Sequence, residues 1–298
     1  ASTAKLSAKK ATVYSEGYKT VTVKTPKSWK SVKVTATSNK KSVAKVKKTA
    51  AKKIKVTGVK PGTAKVTVKV TYKTSTKKNA KAKTKKLTYT LKVAKVGVAL
   101  SGDSAVAVGS TTKLTTTKKA SSRAKITYTS SDETIATVSE DGTVKGVKAG
   151  KATITAKLVI GKDTATATQE VEVKKYVLST VAQNKLTELT ATVAGDTKNL
   201  KASDFTVKSE ATNVVYPVSK VTVDSKDASK VTLTLFSELK DAATYDVTLD
   251  GITKTFVASD GKVASIALDK ATIPYATETE IKLVSKDANG VIIKELKY

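Results

Sequence analysis

The side chains best placed to do chemistry in this chain are lysines. Residues 1–95 carry 28 Lys and a single acid, Glu16, for a net charge of +27. Residues 96–175 carry net +4 and residues 176–298 net −1, so the +30 of the 298-residue chain belongs almost wholly to its first third. The densest lysines form two runs: Lys40, Lys41, Lys45, Lys47, Lys48, Lys52 and Lys53, then Lys77, Lys78, Lys81, Lys83, Lys85 and Lys86. A field of this sign draws in polyanions over roughly one Debye length, about 8 Å at physiological salt. Lys is a hydrated point charge, whereas base reading favours the planar fork of Arg. The only Arg is Arg123, outside this segment, and Tyr14, Tyr18, Trp29, Tyr72 and Tyr89 are scattered rather than arrayed for stacking. The pattern argues against nucleic acid and leaves an anionic membrane face or an anionic cell-wall polymer carrying phosphate or uronate. A second reading stays open: Lys at alternate strand positions solvates the outer faces and keeps the protein soluble.

The missing residue types exclude much other chemistry. With no His and no Cys there is no ordinary zinc or copper site, no Ser–His–Asp triad and no thiol nucleophile. No disulfide can form, although a domain of about 80–100 residues can hold a sufficient core without one. Hard cations need clustered oxygens. Asp224, Asp227, Asp241 and Asp246, with Asp250 and Asp260, are dense enough to make calcium the one ion to weigh, against plain turn carboxylates. No EF-hand loop is present, and no other cofactor is expected. Trp29 follows Pro26 just before a strand-like stretch and reads as core or edge packing rather than a sugar platform. No run of 18 apolar residues exists to span a membrane. The chain starts Ala1-Ser2 without Met, which reads either as an arbitrary boundary or as the small-residue end left by signal-peptide cleavage.

These side chains must be carried on strands. Val21–Lys24, Ser31–Thr37 and Ala64–Tyr72 alternate apolar with polar or charged residues, the period-two signature of a strand with one wet face. Lys73 to Lys86 reads as a long solvated hairpin loop extended by self-repulsion, with a strand from Leu87 closing the unit. Gly17 and Ser38 recur 92 residues on as Gly109 and Ser130, and Gly58 and Gly62 recur 88 residues on as Gly146 and Gly150. The first copy is therefore four residues longer, around Lys47 to Lys53. A repeat near 90 residues fits tandem β-sandwiches rather than a solenoid.

The clearest copy is Ile126–Thr155. Asp141-Gly142 predicts a tight hairpin turn, and Ile135, Val138, Val144, Val147, Ile154 and Leu158 are expected to point inward. Gly146 and Gly150 permit the turn between strands. Ser130 and Ser131 are expected to bond local backbone, and Asp132 with Glu133 to serve a turn rather than acid–base chemistry. Tyr128, Ser130, Ser131, Ile135, Ala136, Val138, Gly142, Val144, Gly146, Gly150, Ala152 and Ile154 resemble the pattern of the bacterial immunoglobulin-like group 2 domain, over about 75 residues. The first unit resembles it more weakly, with Ala36 at the aromatic position. In residues 176–261, Asp204–Val207, Val231–Leu235 and Thr244–Leu249 resemble the immunoglobulin-like domains repeated in bacterial surface-layer proteins.

The resemblance implies an all-β chain of tandem immunoglobulin-like β-sandwich domains at 1–95, 96–175 and 176–261. Residues 262–298 would be the opening half of another sandwich: strands near 263–268, 279–285 and 291–297, a hairpin turn at Asp287–Gly290, and a chain that continues past Tyr298 or pairs with a neighbouring subunit. It further implies a non-enzymatic, extracellular protein of the bacterial cell surface: a surface-layer subunit that self-associates into a lattice or filament, its cationic first domain holding an anionic wall polymer. Surface-layer proteins also favour calcium at domain junctions. An adhesin or wall-enzyme accessory region with these domains as spacers is the alternative class.

Overall fold

Alternating Thr or Lys with Val gives each stretch one apolar edge and one wettable edge, and two such surfaces hide their apolar sides by facing each other. The computed structural model describes residues 3–297, so the Ala1-Ser2 start and the Tyr298 end lie outside the described residues. The first domain comprises β1 (Lys5–Leu6), β2 (Lys10–Tyr14), β3 (Tyr18–Lys24), β4 (Lys30–Ser38), β5 (Ala44–Ala50), β6 (Lys53–Gly58), β7 (Gly62–Lys73) and β8 (Lys83–Ala94). Its two sheets run β1-β3-β6-β5 and β2-β8-β7-β4. Val21, Val23, Ile54 and Val56 from the first share one buried core with Val66, Val68, Val70, Tyr89 and Leu91 from the second.

The second domain repeats the plan with β9 (Gly97–Ser101), β10 (Ala105–Ala107), β11 (Thr111–Lys113), β12 (Thr115–Lys119), β13 (Lys125–Ser130), β14 (Ala136–Val138), β15 (Thr143–Gly146), β16 (Gly150–Ile160) and β17 (Asp163–Lys174). The sheets are β10-β17-β16-β13, β11-β15-β14 and β12-β9. In both domains a short early strand lies parallel to the last one, β2 on β8 and β10 on β17. The repeated glycines explain themselves here. A Cβ on Gly58 would sit 2.9 Å from methyls of Val13 and Val93, and one on Gly146 only 2.6 Å from the Ala107 carbonyl oxygen. Only a residue without a side chain lets the early strand pass that close. The four extra residues of the first copy lengthen the β5–β6 hairpin: β5 has 7 residues where β14 has 3.

The third domain holds β18 (Tyr176–Lys185), β19 (Glu188–Gly195), β20 (Phe205–Ser209), β21 (Val218–Val223), β22 (Lys230–Leu235), β23 (Thr244–Leu249) and β24 (Ile252–Val257). The β21-β22-β19-β18 face packs on β20-β23-β24 through Leu189, Val193, Val207, Leu233, Tyr245 and Val247. Buried Tyr245 donates its hydroxyl to Asp241, 2.8 Å away. Residues beyond 261 form β25 (Ser265–Leu268), β26 (Lys282–Lys286) and β27 (Ile292–Lys297), close to the expected strands. They do not stand apart as a separate sheet. β27 bridges β18 in parallel at Lys185–Ile292 and so extends the third domain's sheet to seven strands. The Asp287–Gly290 turn is present: Asp287 accepts the amides of Asn289 and Val291, and Gly290 takes φ 85°.

Two expectations need correction. Val147 is 45% exposed, because it belongs to the turn after β15 and has no strand alternation to turn it inward. The Lys73–Lys86 stretch is not all loop: the β7–β8 ladder runs on to Tyr72–Lys83, leaving residues 74–82 as the connection.

Candidate polyanion-binding surface

Strand alternation decides where each lysine goes. On the β1-β3-β6-β5 sheet, Val21, Val23, Ile54 and Val56 point inward, so Lys45, Lys47, Lys53 and Lys55 line the outer face with Thr20 and Thr22. On the other sheet, Lys65 and Lys69 of β7 and Lys86 and Lys92 of β8 project outward among threonines, with Lys33 of β4 and Lys10 of β2. Directly opposite partners include Lys47 with Lys55, Lys69 with Lys86, Lys5 with Lys24 and Lys30 with Lys73. Like charges in such register are destabilising, and almost nothing compensates them. Among the described residues the one ion pair involving the first domain joins Glu16 to Arg123 of the second.

The thirteen lysines singled out by density therefore do not form one site. Lys45, Lys47 and Lys53 lie on one outer face and Lys86 on the other. Lys40 and Lys41 occupy the β4–β5 turn, where the Lys40 carbonyl accepts the amides of Val43 and Ala44 at 2.9 Å. Lys52 sits in the β5–β6 turn, its ammonium 2.7 Å from Thr25 Oγ1. Lys48 is opposite buried Ile54 but sits on β5, the edge strand of its sheet, and is exposed. Lys77, Lys78 and Lys81 lie in the β7–β8 connection, with Lys83 and Lys85 on the adjoining strand. Trp29 stacks flat on Tyr72, ring centroids 3.3 Å apart, at the edge of the core.

Density alone missed a second grouping. Where the first domain meets the second, a cleft of 850 Å³ is lined by Lys45, Lys55, Lys60, Arg123 and Lys162, with Glu16, Asp163 and Tyr18. The elements supplying them are the β2–β3 turn, β3, β5, β6 and the turn after β6 on one side, and the turn before β13, the turn before β17 and the start of β17 on the other. The signal available in the sequence was the lone acid of the first domain and the lone Arg of the chain, which pair across this boundary with Arg123 Nε 3.7 Å from Glu16 Oε2.

The carboxylates singled out for calcium serve turns and strands. Asp224 accepts the amides of Lys226 and Asp227, and Asp227 accepts the amide and hydroxyl of Ser229, which hold its carboxyl below the usual range. Asp241 caps Ala243 and receives Tyr245, while Asp246 accepts from Thr255 across the β23–β24 ladder. Asp250 accepts the Tyr176 amide, and Asp260 that of Lys262. Among the described residues no three His, Cys, Asp or Glu side chains come together as a metal site.

In the second domain Ser130 bonds the local Asp132 amide, whereas Ser131 reaches across the sheet to the Thr153 amide at 2.8 Å. Asp132 closes a turn on Thr134. Asp141 accepts from Lys113, Ser139 and Thr143, beside Gly142 at φ 82°.

The folded domains and their charge define a tandem immunoglobulin-like β-sandwich protein with one strongly cationic domain. Residues 97–171 match the family model of the bacterial Ig-like domain (group 2), and the second domain is a domain of that family. No curated protein sequence matches the chain. Similar solved structures include the surface layer protein SbsC, domains 1–6, at 20% identity and TM-score 0.27, covering 99% of this chain and 44% of that one. The three N-terminal domains of the bacteriophage RB49 outer capsid protein Hoc match at 13% identity and TM-score 0.36, covering 86% and 94%. The titin I9–I11 tandem matches at 12% identity and TM-score 0.31, covering 86% and 98%. The chain spans less than half the length of the SbsC structure it matches.

Proposed function

We propose that this is a non-enzymatic structural protein of the bacterial cell surface, a surface-layer type subunit that self-associates, with its first domain held to an anionic wall polymer. The observation that carries the tethering role is the set of uncompensated cross-strand lysine pairs, Lys47–Lys55 and Lys69–Lys86 above all. A soluble domain could spread its charge with acids between, as the second domain does with Lys151 and Glu170. Keeping like charges in register makes sense where a polyanion supplies the missing counter-charge. The tandem architecture and the family of the second domain support the surface role.

The test is co-sedimentation of the full chain, and of a chain from residue 96 onward, with purified bacterial wall. The full chain is expected to bind at low salt and to be released by 1 M salt, where the Debye length is about 3 Å, and the shortened chain to stay in solution. Salt-resistant binding, or retention without the first domain, would overturn the tethering role. Electron microscopy of the purified protein tests assembly: sheets or filaments support it, and monodisperse single chains favour a spacer in an adhesin or accessory protein.

A further inference from the structure

The only acid of the first domain and the only arginine of the chain meet at one place. Glu16 occupies the β2–β3 turn in a left-handed backbone conformation, φ 62°, and Arg123 reaches it from the second domain. Beside them the buried hydroxyl of Ser15 donates to the Asp163 carboxylate. These contacts edge the 850 Å³ cleft whose cations are Lys45, Lys55, Lys60, Arg123 and Lys162. Five cations against Glu16 and Asp163 leave a net +3 in a concave site.

The cleft differs from the flat lysine faces in two ways. It holds the chain's one guanidinium, 75% exposed at its side chain and 3.7 Å from its partner, so its remaining N–H groups are open to a carboxylate or phosphate. It also holds Tyr18, 54% exposed, whereas Tyr89 and Tyr245 are buried in cores. The Lys55 ammonium lies over the Tyr18 ring, 3.9 Å from its centroid, so one face of the ring carries a cation. A sugar ring can then lay its C–H groups against the opposite face or the edge of Tyr18 with its anionic group toward the Lys55 ammonium. The volume falls in the range of small-ligand sites, about 300–1,000 Å³. A lone aromatic gives no run of stacking platforms for successive bases.

We propose that the cleft between the first two domains is a binding site for an acidic sugar unit, with Arg123 taking its carboxylate or phosphate, the four lysines flanking it and Tyr18 covering the sugar face. The proposal deepens the polyanion reading and rests on it: the lysine faces gather the polymer, and the cleft selects the unit. A ligand there touches both domains.

Calorimetric titration of the full chain at physiological salt tests it. The probes are a uronic-acid tetrasaccharide and a sugar-phosphate oligomer, with a neutral tetrasaccharide and a short single-stranded DNA for comparison. At least one acidic saccharide is expected to bind, and the arm that binds identifies the anion. Arg123→Gln and Tyr18→Ala are both substitutions of exposed side chains and are each expected to weaken binding at least ~10-fold, about 1.4 kcal/mol. Arg123→Lys, which keeps the charge and loses the fork, is expected to recover only part of it. Lys220→Gln with Lys226→Gln, exposed in the third domain and outside the lysine faces, is expected to change affinity less than ~2-fold (about 0.4 kcal/mol). Equal binding of DNA, no preference over the neutral sugar, or an equal loss from the Lys220/Lys226 pair would overturn the cleft. Co-sedimentation of the same variants with wall separates the two readings: wall binding that persists while no oligomer binds sinks the cleft alone, and absence of wall binding at low salt sinks the polyanion reading itself.

Discussion

Asp141 shows how much one turn residue can do. Its carboxylate accepts Lys113 at 2.5 Å, Ser139 at 2.5 Å, and the Thr143 amide and hydroxyl at 3.1 Å each. Lys113 first, then Ser139 and Thr143, hold its carboxyl well below the usual range. A carboxyl with a depressed folded-state value adds stability above its unfolded value, about 3.9, and loses it as pH falls from there toward the folded value. The second domain should therefore become easier to unfold below about pH 4, and Asp141→Asn should be less stable at neutral pH yet flatter in that acid window. Denaturant melts of both proteins from pH 7 down to 2 decide it, and parallel curves would remove Asp141 from the account. The Asp-Gly pair made this turn legible in the sequence. The Lys113 partner, 28 residues away, was not, because only the β11–β15 pairing brings it there.

At the scale of strands, the period-two pattern placed β3, β4, β7 and most of β8, since alternation of burial follows directly from the pleat. It failed at Lys83–Lys86, where no apolar residue marks alternation. The backbone ladder there needs only N–H and C=O groups, and Tyr72 opposite Lys83 and Val70 opposite Lys85 supply them. Cross-strand register, invisible in a linear reading, also exposes the electrostatic cost of the first domain. Replacing Lys69 by Glu turns its pairing with Lys86 from repulsive to attractive. Lys69→Glu should stabilise the first domain by about 0.2–1 kcal/mol and weaken wall binding. Urea denaturation and co-sedimentation measure the two effects, and a variant that is less stable, or that binds wall as well as before, would count against a charge kept for binding.

Across the whole molecule, polar side chains link the first two domains, Glu16 with Arg123 and Ser15 with Asp163. The Glu16–Arg123 pair is exposed and long, and such a pair contributes about 0–1 kcal/mol. The Ser15–Asp163 hydrogen bond is the better fastening, because Ser15 is 1% exposed and its hydroxyl loses this partner if Asp163 is removed. Asp163→Ala is expected to leave both β-sandwiches folded and to broaden the distance distribution in small-angle X-ray scattering. An unchanged distribution would mean that other contacts set the angle between the domains. The third domain and the strands after it are joined differently, through the Ser259 hydroxyl on buried Asp287 at 2.6 Å and the Lys185–Glu295 pair at 2.7 Å.

Alternation, the recurring glycines and the Asp-Gly turn are local or periodic signals. They were enough to establish an all-β chain and the repeat of the first domain in the second, and a count of charges placed most of the net positive charge in residues 1–95. The grouping of charge was a different matter. Lysines adjacent in sequence alternate between opposite faces of a strand, while Lys45, Lys60, Arg123 and Lys162 converge on one cleft from separate turns and strands. Among the calcium candidates, Asp224 and Asp227 share one turn, whereas Asp241 and Asp246 bond to Tyr245 and Thr255. Sequence distance measures path length along the chain. A binding site depends on distance through space, and only the packed sheets determine that.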